Sequence, residues 1–334
     1  MTDQDSDPFG ERARVLVQGP LQLLGCQYRF ESNSRELLKL VQHAYAGLPQ
    51  YALSSPAPQM TVRLLVSSPA RAAGGAEPPP IQMVAGAGLL GGVTPSGNSV
   101  MLSPTEGAAL IVVSPRMLRF PYHTRYELLE FAVFTLAVRV QKLASLHGAC
   151  VGIAGRGALL MGESGAGKST VSLQCLLEGF EFLSEDSVFV EPGSMRAVGV
   201  PNFLHVRADS LRWGADRRSM AAIRKSPVIR RRSGVRKFEV DLRRGGYCLA
   251  PAPLQIGAIV FLSARSAGKG PMLRALTREQ LVRRVVAEQG YAANGPSWPE
   301  FERSLARVDG YELRRGAHPS ESTHALRGLI ASQG

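Results

Sequence analysis

The residues with the clearest capacity for chemistry lie in LMGESGAGKSTVSL (160–173). There Gly162, four intervening positions, Gly167, Lys168 and Ser169 fill every place of a phosphate-binding loop. Gly162, Gly165 and Gly167 can take dihedrals closed to other residues, so consecutive backbone N–H groups can turn toward phosphate oxygens. Lys168 opens the following helix and can reach terminal phosphates, while the Ser169 hydroxyl is placed to ligate Mg²⁺. The stretch Gly162, Glu163, Ser164, Gly165, Ala166, Gly167, Lys168, Ser169 and Thr170 is therefore read as contacting a nucleotide. The helix N-terminus adds its own attraction for anions. A glycine-rich turn that binds nothing is the alternative, and it leaves the flanking strand and helix signals without a purpose.

A second informative place is the acidic break Glu185-Asp186 inside FEFLSEDSVFVEP (180–192). Phosphoryl transfer needs a divalent cation and a group that accepts the proton of an attacking hydroxyl. Carboxylates near the loop's lysine and serine can supply both. Ser169, Glu185 and Asp186 are thus the candidate metal ligands. His147, read as the start of a strand before the loop, could orient a carboxylate through a hydrogen bond. The plainer readings are a polar turn between strands for the acidic pair and a packing residue for the histidine.

These residues need elements to position them. GALLMG (157–162) reads as a buried strand, and STVSLQCLLEG (169–179) puts Val171, Leu173, Leu176 and Leu177 on one helical face. HGACVGI (147–153) is a strand joined to 157–162 by a turn, and AVGVP (197–201) follows the acidic break. Before them, a helix over 124–146 carries Leu128, Leu129, Ala132, Leu136, Val140 and Leu143 as a packing stripe. Further on, LQIGAIVFLSA (254–264) predicts a central strand. Helices are expected at 277–291, 298–308 and 322–330, with a strand at 310–316. The expected class is α/β.

Residues 1–120 read as a smaller α+β domain without a catalytic motif, and 121–334 as the domain that carries the loop. In the first, ARVLVQGPLQLLGCQYRF gives strand-like runs broken at Gly19-Pro20, 34–48 is an amphipathic helix with Ser34 as cap, and 60–67 alternates as a strand. A Pro/Gly/Ala loop spans 68–80, and antiparallel strands are expected near 81–85, 99–103 and 109–113.

The composition excludes several classes. No stretch approaches the ~20 apolar residues of a membrane helix, and the polar start MTDQDSDPFGER is unlike a secretory leader. A cytoplasmic protein with no membrane partner is expected. Four scattered cysteines without a C-x-x-C pair read as reduced thiols. The net charge of +12 is concentrated between Arg207 and Arg244, with thirteen basic residues against four acidic ones. Only Trp213 and Phe238 are there to stack on bases, so a solvated or substrate-facing surface is favoured over nucleic-acid binding. Arg207 and Arg243, in this segment, are candidates for stabilising the transferring phosphoryl group.

Taken together, HGACVGIAGRGALLMGESGAGKSTVSLQCLLEGFEFLSEDSVFV (147–190) resembles the core of the HPr kinase/phosphorylase family, through His147, Lys168, Gly179 and Asp186 at matching spacings. The resemblance implies a P-loop kinase domain of the HPr kinase/PEP carboxykinase-like type with a mixed sheet. It further implies ATP on the loop, Mg²⁺ on Ser169, Asp186 as proton acceptor, and His147 in support. The expected activity is transfer of the γ-phosphoryl group to a hydroxyl, serine of a protein, peptide or small molecule. A catalytically weak nucleotide-binding regulator or scaffold is the alternative. Two departures stand out: Glu185 replaces the first aspartate of the family's pair, and His205 stands where the family's Glu-x-Arg metal ligand is expected, with Arg207 retained. The family's later Gly/Asn-rich segment has no counterpart, so no phosphorylase activity is expected. The sequence leaves a homo-oligomer open.

Overall fold

The computed structural model describes residues 14–67, 77–163, 165–214 and 216–333. The chain is mixed α/β and divides into two compact units. The first unit gathers the residues up to Ala46 with Ala57–Val140. Residues 121–140, assigned by sequence to the second domain, pack with this first unit.

Among the described residues, the first unit's sheet has seven strands in the order Leu16–Leu23, Cys26–Ser32, Gln59–Val66, Ala108–Val113, Ser99–Ser103, Leu89–Val93, Gln82–Gly86. Cys26–Ser32, Gln59–Val66 and Ala108–Val113, second to fourth in that order, run parallel to one another, and every other pairing is antiparallel. The strand expected near 109–113 as antiparallel is thus antiparallel on one side and parallel on the other. Helix Arg35–Tyr45 buries Leu37, Val41, Ala44 and Tyr45, a helical stripe against the sheet. Ser34 occupies its N-cap, but the side chain makes no cap bond; its backbone N–H goes to the Ser32 hydroxyl at 3.0 Å. The long helix expected to reach 146 ends earlier. Thr124–Leu129 is a π-helical turn, Glu130–Val140 is α-helical, and Lys142 at φ 54° turns the chain into strand Ala144–His147.

The second unit comprises Gly47–Pro56 and the residues from Gln141 onward. Its central strand is Leu254–Ser266, thirteen residues long. On one edge it pairs in parallel with Arg156–Met161. On the other it pairs in parallel with Asp309–Arg315 and, at its N-terminal end, antiparallel with Arg196–Val198. Ala149–Ile153 and then Glu181–Ser184 extend the sheet antiparallel from Arg156–Met161. Ser187–Glu191 and Ala144–His147 extend it beyond Arg196–Val198. Val171, Leu173, Leu176, Leu326 and Ile330 from helices Lys168–Leu177 and Pro319–Ala331 join Leu160, Phe182 and Val260 of the sheet in one buried core.

The basic segment is structured. Ala208–Trp213 is a 3₁₀ turn, and Arg217–Arg224 is a helix capped by Asp216, whose carboxylate accepts from the Arg218 and Ser219 N–H groups. Phe203–Val206, Arg236–Asp241 and Val228–Arg230 form a separate antiparallel sheet of three strands. Cys26, Cys150 and Cys175 are buried free thiols and Cys248 is exposed. Among the described residues no helix is long and apolar enough to cross a membrane.

Candidate active site

Strand Arg156–Met161 ends at Gly162, and helix Lys168–Leu177 begins after Gly167, so the glycine-rich stretch is a strand-to-helix turn. Gly162, Gly165 and Gly167 have φ of 143°, 86° and 105°, a region that side chains rarely adopt. At Gly162 space is also short: a Cβ there would lie 3.0 Å from the Leu262 carbonyl oxygen and 3.3 Å from the Ala166 methyl. The helix ends as the sequence requires, with Gly179 at φ 79° and the Phe180 and Gly179 N–H groups donating to the Cys175 and Leu176 carbonyls. Ser164, expected among the nucleotide contacts, lies outside the described residues.

Lys168 Nζ donates to the Gly162 carbonyl and, at 3.4 Å, to that of Glu163. Burial lowers its pKa, while Glu288, Asp186 and Glu185 act to raise it. The Ser169 hydroxyl donates to Glu185 Oε1. Glu185 is buried, and its other oxygen accepts from the His205 N–H at 2.9 Å. The His205 ring lies between two carboxylates, with Nδ1 3.6 Å from Glu185 and Nε2 3.3 Å from Glu239. Burial opposes a charged imidazole, but these carboxylates outweigh it and raise the His205 pKa.

Asp186 pairs with the Arg231 guanidinium, which also lies 3.4 Å from His205 Nδ1. Burial pushes the Asp186 carboxyl up, yet Arg231's charge and hydrogen bond bring it down to about 2. Lys237, half-buried in the same hairpin, is lowered mainly by burial. Ligand atoms of Glu185, Asp186 and His205 lie within 4.8 Å of one another. With the Ser169 hydroxyl beside Glu185, the donors are hard oxygens plus one imidazole nitrogen. The oxygens suit Mg²⁺, and the nitrogen is the departure from the all-oxygen set Mg²⁺ prefers.

One cleft of about 500 Å³ opens onto the loop and takes in His147, Lys168, Ser169, Thr170, Asp186 and Arg207. Two expectations are corrected. His147 ends strand Ala144–His147, and its Nδ1 donates at 3.0 Å to the backbone carbonyl of Asp186, since a carbonyl can only accept. It holds the chain at Asp186, not the carboxylate. Arg243 is not among the described residues lining the cleft; it pairs with Asp241 at 2.7 Å and lies over the Phe203 ring. Arg207 lines the cleft with its side chain largely exposed and paired to Asp209 at 3.3 Å.

Sequence reasoning missed several participants. Arg231 was visible only as one of three consecutive arginines, and the hairpin's two-residue alternation, which sends Arg231 inward and leaves Arg230 and Arg232 exposed, was the unused signal. Glu239 and Gln289 had no local signature. Glu288, half-buried and raised mainly by that burial, hydrogen-bonds the Gly162 backbone.

No protein-family model and no curated protein matches the chain. Among solved structures, the chain is similar to the Hpr(Ser) kinase/phosphatase from Coxiella burnetii, with TM-score 0.29 and 11% identity over 56% of this chain and 91% of that one.

Proposed function

We propose that the chain is an HPr-kinase-like kinase that transfers the γ-phosphoryl group of ATP to a hydroxyl, of serine in a protein, a peptide or a small molecule. The observation that carries the reading is convergence: Lys168 and Ser169 of the glycine turn share one cleft with Asp186, from a break between strands, and the Ser169 hydroxyl donates to the buried Glu185 beside it. The backbone N–H groups and Lys168 hold the phosphates, and Arg231 and Lys237 line the same cleft to offset negative charge. Ser169, Glu185 and Asp186 would hold Mg²⁺, which when bound neutralises phosphate charge. The acceptor oxygen attacks the γ-phosphorus, the bond to the bridging oxygen breaks, ADP leaves, and the hydroxyl proton passes to the Asp186 carboxylate.

Asp186 can take that proton only after Arg231 releases it, because a carboxylate held at about 2 is a weak base. The same pairing favours the second reading, a nucleotide-binding module that turns over poorly. Labelled ATP with Mg²⁺, with and without a lysate of the source cells, separates them. Kinase activity moves label to an acceptor and Lys168→Ala abolishes the transfer; binding without label transfer supports the module, and unchanged transfer by Lys168→Ala refutes the loop's role.

A further inference from the structure

We propose that the far end of the cleft, walled by Trp213, Arg212 and His318, is a nucleobase subsite that takes the purine ring of the nucleotide. The proposal rests on the nucleotide reading of the phosphate loop and adds what recognises the other end of the molecule.

The cleft that opens onto Lys168 and Ser169 is also lined by Thr170, Ser210, Trp213 and His318. Two contacts fix Trp213 to the helix that leaves the loop. Thr170 and Ser210 share a hydrogen bond of 2.9 Å, and Gln174 Nε2 donates to the Trp213 carbonyl at 3.2 Å. Gln174 is six residues beyond Lys168, ~9 Å along the helix axis, so the Trp213 backbone is tied about that far along the helix from the lysine.

The chemistry at that end is that of base recognition. Trp213 is only partly buried although it is the largest apolar side chain on the cleft wall. The Arg212 guanidinium lies 4.7 Å from its ring centroid, and the His318 ring meets it edge-on at 5.2 Å and 83°. Indole and guanidinium planes stack on bases with little regard to sequence. A two-ring base covers more of the indole than a one-ring base and so removes more apolar area from water. His318 adds direction. Its Nδ1 accepts from the Ser320 N–H at 3.2 Å, which in the neutral ring leaves the proton on Nε2 as a donor for a ring nitrogen or an exocyclic oxygen. Because His318 also caps helix Pro319–Ala331, the ring is held in place.

The chain has two tryptophans, and Trp298 is buried in another helix, so a Trp298→Phe variant leaves Trp213 as sole reporter. We expect ATP to quench its emission and to bind more tightly than inorganic tripolyphosphate, which should bind without quenching. Trp213→Ala should weaken ATP by roughly ten- to a hundredfold while leaving tripolyphosphate affinity level, and Trp213→Phe should restore most of the loss. ATP affinity unchanged in Trp213→Ala, or equal weakening of ATP and tripolyphosphate, overturns the subsite while the phosphate loop stands. If neither ligand binds the unaltered protein, the nucleotide reading falls and the subsite with it. Should Trp213→Ala not fold, the titration of Trp298→Phe still decides: no ATP quenching, or equal quenching by tripolyphosphate, overturns the subsite.

Discussion

Gln289 clasps the backbone of His147 on both sides, its Oε1 accepting from the His147 N–H at 2.7 Å and its Nε2 donating to the His147 carbonyl at 2.9 Å. The preceding residue, Glu288, hydrogen-bonds Gly162. Two consecutive residues at the end of helix Arg278–Glu288 therefore brace the chain at Asp186 and the start of the glycine turn. Neither is among the described residues lining the cleft, so both act by positioning.

Gln289→Ala removes both partners of His147 from a buried site. We expect a loss of about 1 kcal/mol in stability, read by urea denaturation, since two part-buried hydrogen bonds to the His147 backbone are lost. Turnover should fall while nucleotide Kd stays near level, because the loop itself is intact.

The run Arg230–Arg232 divides by orientation. Arg231→Ala should lower turnover, because the cleft loses a guanidinium that offsets phosphate charge. Acceptor KM should rise with KCl if this basic face attracts the acceptor, since screened surface attraction reaches only ~8 Å at physiological salt, and replacing exposed Arg230 and Arg232 by serine should flatten that rise and leave turnover unchanged. Kinetics at two salt concentrations check both.

Glu185 and Asp186 should separate under a Mg²⁺ titration. Glu185→Gln weakens the group that faces Ser169, so activity should recover with excess Mg²⁺. Asp186→Asn removes the proposed proton acceptor and should cost ~10²–10⁴-fold in turnover that no metal restores. Recovery of Asp186→Asn and not of Glu185→Gln would exchange the two roles.

Glu191 gives a pH test away from the cleft. Burial raises its carboxyl, but hydrogen bonds from Ser194, Ser54 and Arg196 outweigh that and hold it below the ordinary 4.5. A carboxyl depressed in the folded chain contributes stability that is present above its unfolded pKa and lost as pH falls through the folded one. Wild type should therefore melt above Glu191→Gln at pH 7, and the margin should close as pH drops below 4.5.

What was legible in the sequence was local. The strand, glycine turn and helix of 156–177 are set by burial period and by dihedrals that glycine permits, and both act within a few residues. The acidic break between Glu181–Ser184 and Ser187–Glu191 was legible for the same reason. The helix end at Val140 was not, because Leu143 and Leu146 continue an apolar pattern that the sheet buries instead. Pairings across long separations, Asp186 with Arg231 or His147 with Gln289, depend on how strands and hairpins are ordered in space, which no single stretch encodes. Arg243 shows the converse: position after the loop suggested phosphate, yet Asp241, two residues before it, claims the side chain.

Strand Leu254–Ser266 is hydrogen-bonded along both edges and lies against the turn at Gly162, whereas the hairpin bearing Arg231 belongs to a small separate sheet with exposed residues at its tip. Amide deuteration should therefore run on two clocks. Protons at 158–161 and 258–262 should exchange last, through global unfolding, and those near 231–235 first, through local opening. On the proposed kinase reading, a grip that stays closed while one wall breathes would let the cleft exchange acceptors many times during a single residence of the nucleotide.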